Sequence, residues 1–386
     1  MWRSSSTRTE RGASTGGGHD LSGNEPCLRR LAGGPPAAPL PSLATPYRTV
    51  DDMNTRIRLL QLLTAAWSWL FLVLIMALFE AWSWSVYGRT FFGNLYNVQA
   101  VLLTATQILM MALGLTLVII AAGIDLSIGF IAGLAAVTMA VVIRALPELH
   151  PALSFSLGVT AAILIALVPG FINGWLISKW KVPSFIGTLG MFGVTRGMAF
   201  LVAGGATVSI RNDTARSFGN SRILDVLPVP VLVATIVTLY FHYLLAHTRF
   251  GVYVYAMGGN LQSAVRAGVN TTRITFSLFM LSAFTAALAG IFYTARFSAG
   301  AADAGEPILL NAVAAVFIGG ASLSGGSGTI SGTVIGSLII AIIQFGLVFI
   351  GMPPFWQFIT VGLVIIVAVL IDQSRARLAR LGTGET

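Results

Sequence analysis

Charge is the first thing this chain lacks. Only 10% of its 386 residues are Asp, Glu, Lys or Arg, while 55% are hydrophobic. An ordinary soluble domain carries roughly a quarter charged residues. A soluble core cannot hide this much apolar surface, so the composition excludes a soluble globular protein and predicts a polytopic membrane protein. Lysine is nearly missing, with only Lys179 and Lys181. No Gly-Lys pair occurs, which excludes the phosphate-cradling loop and, with it, ATP hydrolysis by this chain. The single cysteine, Cys27, excludes an intramolecular disulfide and an all-cysteine metal site. The four histidines, His19, His150, His242 and His247, show no metal-ligand spacing, and no serine stands in a His–Asp pattern. The chain therefore reads as a non-enzyme with no catalytic residue, no metal and no cofactor of its own.

The bases that are present border hydrophobic runs rather than forming a patch. The net charge of +9 is thus no argument for nucleic acid. Residues 1–52, dominated at first by Gly, Ser, Thr, Pro and Ala, lack an apolar h-region and read as a disordered tail, with Met53 a candidate start of translation. Beyond it, runs long enough to cross a bilayer fall at 60–79, 99–122, 127–146, 153–178, 184–203, 229–246, 274–295, 308–321, 331–350 and 354–371. The expected fold is all-α with about ten transmembrane helices. The eighth run is short and holds Gly319 and Gly320, and the aromatic stretch 83–98 reads as interfacial.

Loop bases set the orientation. With the N-terminus inside, the inner segments hold Arg48, Arg56, Arg58, Lys179, Lys181, Arg249, Arg266, Arg273, Arg375, Arg377 and Arg380. The outer ones hold only Arg89, Arg144, Arg211, Arg216, Arg222 and Arg296. Both termini are therefore expected in the cytoplasm, with residues 373–386 a short tail there.

Asp125 is the one acid between two charge-free runs, 100–122 and 128–143. Two readings stand. It caps the third helix, after Gly123 ends the second in a left-handed turn, or it faces a polar route, with Ser127 beside it. Arg196, deep in the fifth span, either meets solute or bridges backbone carbonyls. Asn173, Asn311 and Gln344 either join helices or touch solute. Gly170, Gly174, Gly187, Gly190, Gly193 and Gly197 suggest close helix approach.

The inner loop 247–273 carries a further signal. Gly258 and Gly259 interrupt it, Asn260 is a good N-cap, and Leu261, Ala264 and Val265 fall on one helical face before Gly268. A short capped helix with an apolar face suggests a docking surface for a partner protein or an interfacial helix lying on lipid.

Four stretches carry a resemblance in order and spacing: "AAGIDLSIG" (121–129), "KVPSFIGTLGMFGVTRGMAFLVAGG" (181–205), "FGVYVYAMGGNLQSAVRAGVN" (250–270) and "AAVFIGGASLSGGSGTISGTVIGSLII" (314–340). The chain resembles the permease subunits of ribose-type ABC sugar importers, a family that also includes branched-chain amino-acid permeases. The likeness implies a permease domain over 53–372, multi-pass in a bacterial inner membrane and paired with a second permease subunit. It implies a cytoplasmic ABC ATPase, which carries ATP and Mg, docked on the loop around 258–268. It implies an external solute-binding protein, periplasmic or extracellular, on the other side. The family usually has Glu two residues after Asn260, where Gln262 stands. The alternatives are an amino-acid permease and an ion-coupled carrier. A carrier of that kind would need more intramembrane acids than this chain has.

Overall fold

The computed structural model describes the backbone of residues 50–383 and the side chains of 67–370. Cys27 and most of the expected tail lie outside these residues. Within the described residues, the chain from Leu59 onward forms one compact unit. Helix α1 (Val50–Tyr87) starts ahead of Met53, so the expected boundary at residue 52 falls within its first turn. The chain continues through α2 (Leu95–Ile120), α3 (Ile128–Ala145), α4 (Pro151–Lys179) and α5 (Ser184–Ala203). A crossing segment follows, built from β1 (Val208–Ser209), α6 (Asp213–Asn220), β2 (Arg222–Ile223) and β3 (Leu227–Pro228). Then come α7 (Val229–His247), α8 (Arg249–Gly259), α9 (Leu261–Arg266), α10 (Thr271–Phe297), β4 (Ala299–Gly300), α11 (Gly305–Ile318), α12 (Ile330–Phe349) and α13 (Phe355–Thr383). The last runs on through the residues expected to form a separate C-terminal tail.

Among the described residues, eight helices are long and apolar enough to cross a membrane, and α11 and the apolar part of α13 are shorter. These ten match the ten expected runs to within a few residues at most ends. The clearest departure is α1, which stays helical to Tyr87. The stretch after it is not interfacial throughout. Phe91 is fully buried against Phe79, Phe345 and Phe349. Glu80 fixes this turn by accepting the amides of Phe91 and Phe92 at 3.0 and 3.1 Å.

Helix α2 is the axis of the bundle. It carries no charge and has no single apolar stripe, which suits a helix with neighbours all round, and it is covered by α10, α12, α11 and α7. Helices α4 and α7 instead keep large apolar side chains exposed, among them Leu164 and Leu239. That is the pattern of a wall that faces lipid.

Successive turns gather at two ends. At one, the glycine end, the 121–127 turn, the start of α5, the α8–α9 loop and the 319–329 turn meet. Ser184 accepts the Ile124 amide, and the Gly326 amide donates to the Ile120 carbonyl at 2.8 Å. At the other, the strand end, β1 pairs with β4, Gln99 donates to the carbonyls of Asp225 and Val226, and Asn212 donates to the Pro151 carbonyl. Alternation between two ends is what ten consecutive crossings require.

Candidate functional site

At the glycine end, helix α2 closes with a backbone motif in which the Ala122 amide donates to the Ile119 carbonyl and the Gly123 amide to the Val118 carbonyl. The left-handed residue is Ala122, at φ 60°, and not Gly123 as expected. Asp125 is not the cap of α3 either. The capping position belongs to Ser127, whose side chain makes no capping bond. Asp125 turns inward instead. Its Oδ1 accepts the Ser127 amide at 3.0 Å and the Ser127 hydroxyl at 2.6 Å, and its Oδ2 accepts the Ser282 hydroxyl of α10 at 2.6 Å. Asn173 of α4 donates to Ser127 Oγ at 2.8 Å. Asp125 is 1% exposed and the other three are fully buried. The structure thus unites Asp125, Ser127 and Asn173 in a polar knot that ties α3, α4 and α10. A closed, hydrogen-bonded carboxylate fixes helices and offers no face to a solute. Sequence reasoning missed Ser282, because nothing local in α10 marks it as the partner of a turn 157 residues away.

The loop between α7 and α10 is seated on this end. Two helices form it, and α8 was not anticipated. Gly258 lies so close to the carbonyl of Ile120 and the amide of Gly326 that a β-carbon there would collide with both. The Tyr255 hydroxyl donates to the Gly328 carbonyl at 2.6 Å, and burial pushes that phenol above its ordinary range, which keeps it a donor. The glycine-rich turn, with Gly325 and Gly326 at φ +80° and +74°, is therefore a keyed joint and not a flexible spacer. Asn260 caps α9 as expected, accepting the Ser263 amide at 2.9 Å, and Gly268 is left-handed at φ +81°. Leu261 and Val265 stand exposed at 54% and 53%, but Ala264 is 3% exposed. Ala264 is therefore not the centre of an outward face. A six-residue helix turned back on its own capping loop has an inner side, and the small residue is on it.

The glycines expected to mark close helix approach divide. Gly170 and Gly174 do meet α10 closely, against Ala283 and Phe276. At Gly190, Gly193 and Gly197 no described residue lies within 4 Å of where a β-carbon would stand. Arg196 shares that uncovered stretch of α5, exposed, with its guanidinium 5.2 Å from the centre of the Phe130 ring. Among the described residues it makes no hydrogen bond, so it bridges no backbone carbonyls.

Asn311 is elsewhere again. Together with Gln344 it lines a cavity of about 190 Å³ among α2, α10, α11, α12 and α13, toward the strand end. Gln107 and Gln357 line it too. Sequence reasoning passed over both. The signal that singled out Gln344, an amide inside a span, was equally present at Gln107.

A family profile described as branched-chain amino acid transport system / permease component matches residues 97–369. The chain is similar to the ribose import permease protein of Escherichia coli K12, with 37% identity over 288 residues, 73% of this chain and 86% of that one. It is similar to the autoinducer 2 import system permease protein of Photorhabdus luminescens, with 34% identity over 310 residues, 80% and 90% of the two chains. It is also similar to the fructose import permease protein of Rhizobium meliloti, with 38% identity over 265 residues, 67% and 72%. No solved structure matches.

Proposed function

The chain belongs to the branched-chain amino acid transport system / permease component family, and from that premise we propose that its glycine end seats a cytoplasmic ABC ATPase through Leu261 and Val265. The chain is a membrane-spanning transport subunit of an ATP-driven importer, not an enzyme, and its cargo is a sugar. The similar permeases are named for ribose, fructose and autoinducer 2, which favours sugar over a branched-chain amino acid. An ion-coupled carrier finds no support, because among the described residues Asp125 is the one buried acid and it is held in the polar knot.

The remaining assignments follow this seating. The glycine end faces the cytoplasm of a bacterial inner membrane, with both termini inside, in keeping with the excess of Lys and Arg on that side. ATP and Mg sit on the ATPase. An external binding protein delivers solute at the strand end. The uncovered stretch of α5 around Gly190, Gly193, Gly197 and Arg196 meets a second permease subunit, where small residues let helices approach closely.

One observation carries the reading. Leu261 and Val265 are exposed on a loop that is otherwise locked into the bundle through Gly258 and Tyr255. A docking surface rigidly joined to the spans is what transmission of force from a separate ATPase needs. The double variant Leu261→Asp/Val265→Asp places two charges where an apolar contact should close. It is expected to reach the membrane at wild-type levels, to lose its ATPase in a pull-down, and to import nothing. Full retention of the ATPase by that variant would sink the docking assignment.

A further inference from the structure

The cavity at Asn311 differs from the knot around Asp125, where only Asn173 Oδ1 lacks a partner, because its side-chain amides are left unused. Gln107 is 7% exposed and its Nε2 has no hydrogen-bond partner. The side-chain amides of Asn311, Gln344 and Gln357 make no hydrogen bond with any other described residue. Amides set inside spans to hold helices together would bond to one another or to backbone. These four converge on a space of about 190 Å³ and leave it unfilled by protein. Gln107 lies about 18 Å along α2 from Leu95 at the strand end, by helix rise. Gln357, half-buried, stands in the first turn of α13 at that same end. The cavity thus runs inward from the strand end toward mid-depth.

Its chemistry is selective. An amide both donates and accepts, as a hydroxyl does, so four amides suit a ligand that carries several hydroxyls. Tyr293, Phe297 and Phe358 add aromatic faces to the lining. Among the described residues, no Asp, Glu, Lys or Arg lines it. A zwitterionic amino acid would find no counter-charge there, and an anion or cation would be desolvated without compensation. Apolar and aromatic walls with a few convergent polar groups are the usual make-up of a small-molecule site.

We propose that this cavity is a binding site for the neutral, polyhydroxylated solute in transit, with the Gln107 and Asn311 amides holding its hydroxyls. The site rests on the importer reading above and adds to it a discriminating role for the permease itself. The test uses the full transporter, permease with its ATPase and binding protein, in proteoliposomes, with labelled D-ribose and labelled L-leucine as probes. Gln107→Leu and Asn311→Leu are each expected to lower D-ribose uptake about tenfold or more while the ATPase stays bound in a pull-down. Uptake by both variants within about twofold of wild type overturns the site while leaving the importer reading intact. A second measurement does not depend on transport. In a Cys27→Ser background, Asn311→Cys is expected to react with a membrane-impermeant thiol reagent added at the strand end, and D-ribose, not L-leucine, is expected to slow the reaction. No reaction in the assembled transporter overturns the site, and protection by L-leucine alone overturns its ligand class. A wild-type complex that moves neither probe counts against the importer reading, and labelling of Asn311→Cys still decides whether the cavity is open to water.

Discussion

The knot around Asp125 and the cavity around Asn311 are both polar islands in an apolar bundle, and they treat their hydrogen bonds in opposite ways. In the knot a carboxylate accepts three hydrogen bonds and Asn173 donates a fourth to Ser127, leaving only the Asn173 Oδ1 without a partner. In the cavity four amides surround a space and none bonds to another described residue. Polarity inside a membrane protein therefore does not by itself mark a route. Satisfied groups hold helices in register, and groups left open toward a void have their partners still to come.

The largest expected effect tests the closed half of that contrast. Asp125→Leu leaves the Ser127 amide, the Ser127 hydroxyl and the Ser282 hydroxyl without their acceptor, a loss of about 3–5 kcal/mol. The variant is expected to be nearly absent from membranes, while Asp125→Asn, which keeps one of the two acceptor oxygens, is expected to be recovered at reduced yield. Normal yield and normal melting of the leucine variant would mean that the knot ties nothing.

Ser282→Ala should come next. It removes one donor from a buried carboxylate and costs about 1–3 kcal/mol, read as a lower melting temperature in detergent with transport per folded molecule preserved. A loss of transport without loss of stability would move Asp125 into the solute route and erase the difference between the two islands.

The smallest effect belongs to the open half. Gln107→Leu replaces an unpartnered amide with an apolar group of similar size, so stability should change by less than about 1 kcal/mol, and in the direction of gain. A melting temperature lowered as far as that of Ser282→Ala would show that Gln107 is held by partners after all.

Most of the fold was legible in the sequence because its signal is coarse. Runs such as 99–122 and 331–350 are free of charge and mostly apolar end to end, and no tertiary detail is needed to find α2 or α12. The caps were legible at Asn260, where side chain and amide lie three residues apart. What could not be read was partnership across distance. Ser282 and Asp125 are 157 residues apart, and Tyr255 reaches a carbonyl 73 residues away. Face assignment failed at Ala264 for a related reason. In six residues, helical spacing shows which side chains share a face but not which face the rest of the loop covers. The cap reading of Asp125, one of the two, rested on a local rule, while the Ser282 hydroxyl that turns it inward comes from another helix.

The central placement of α2 also sets a timetable. The helices that cover it most fully, α10 and α12, are encoded about 150 residues or more behind it. At roughly 5–20 residues per second of synthesis, α2 is complete about 10–30 s before the first of them emerges. Through that interval it must stand in lipid with its future interior turned outward. Its uncharged surface lets it wait there, so the residues that later make the core also make the helix a tolerable guest of the bilayer before any core exists.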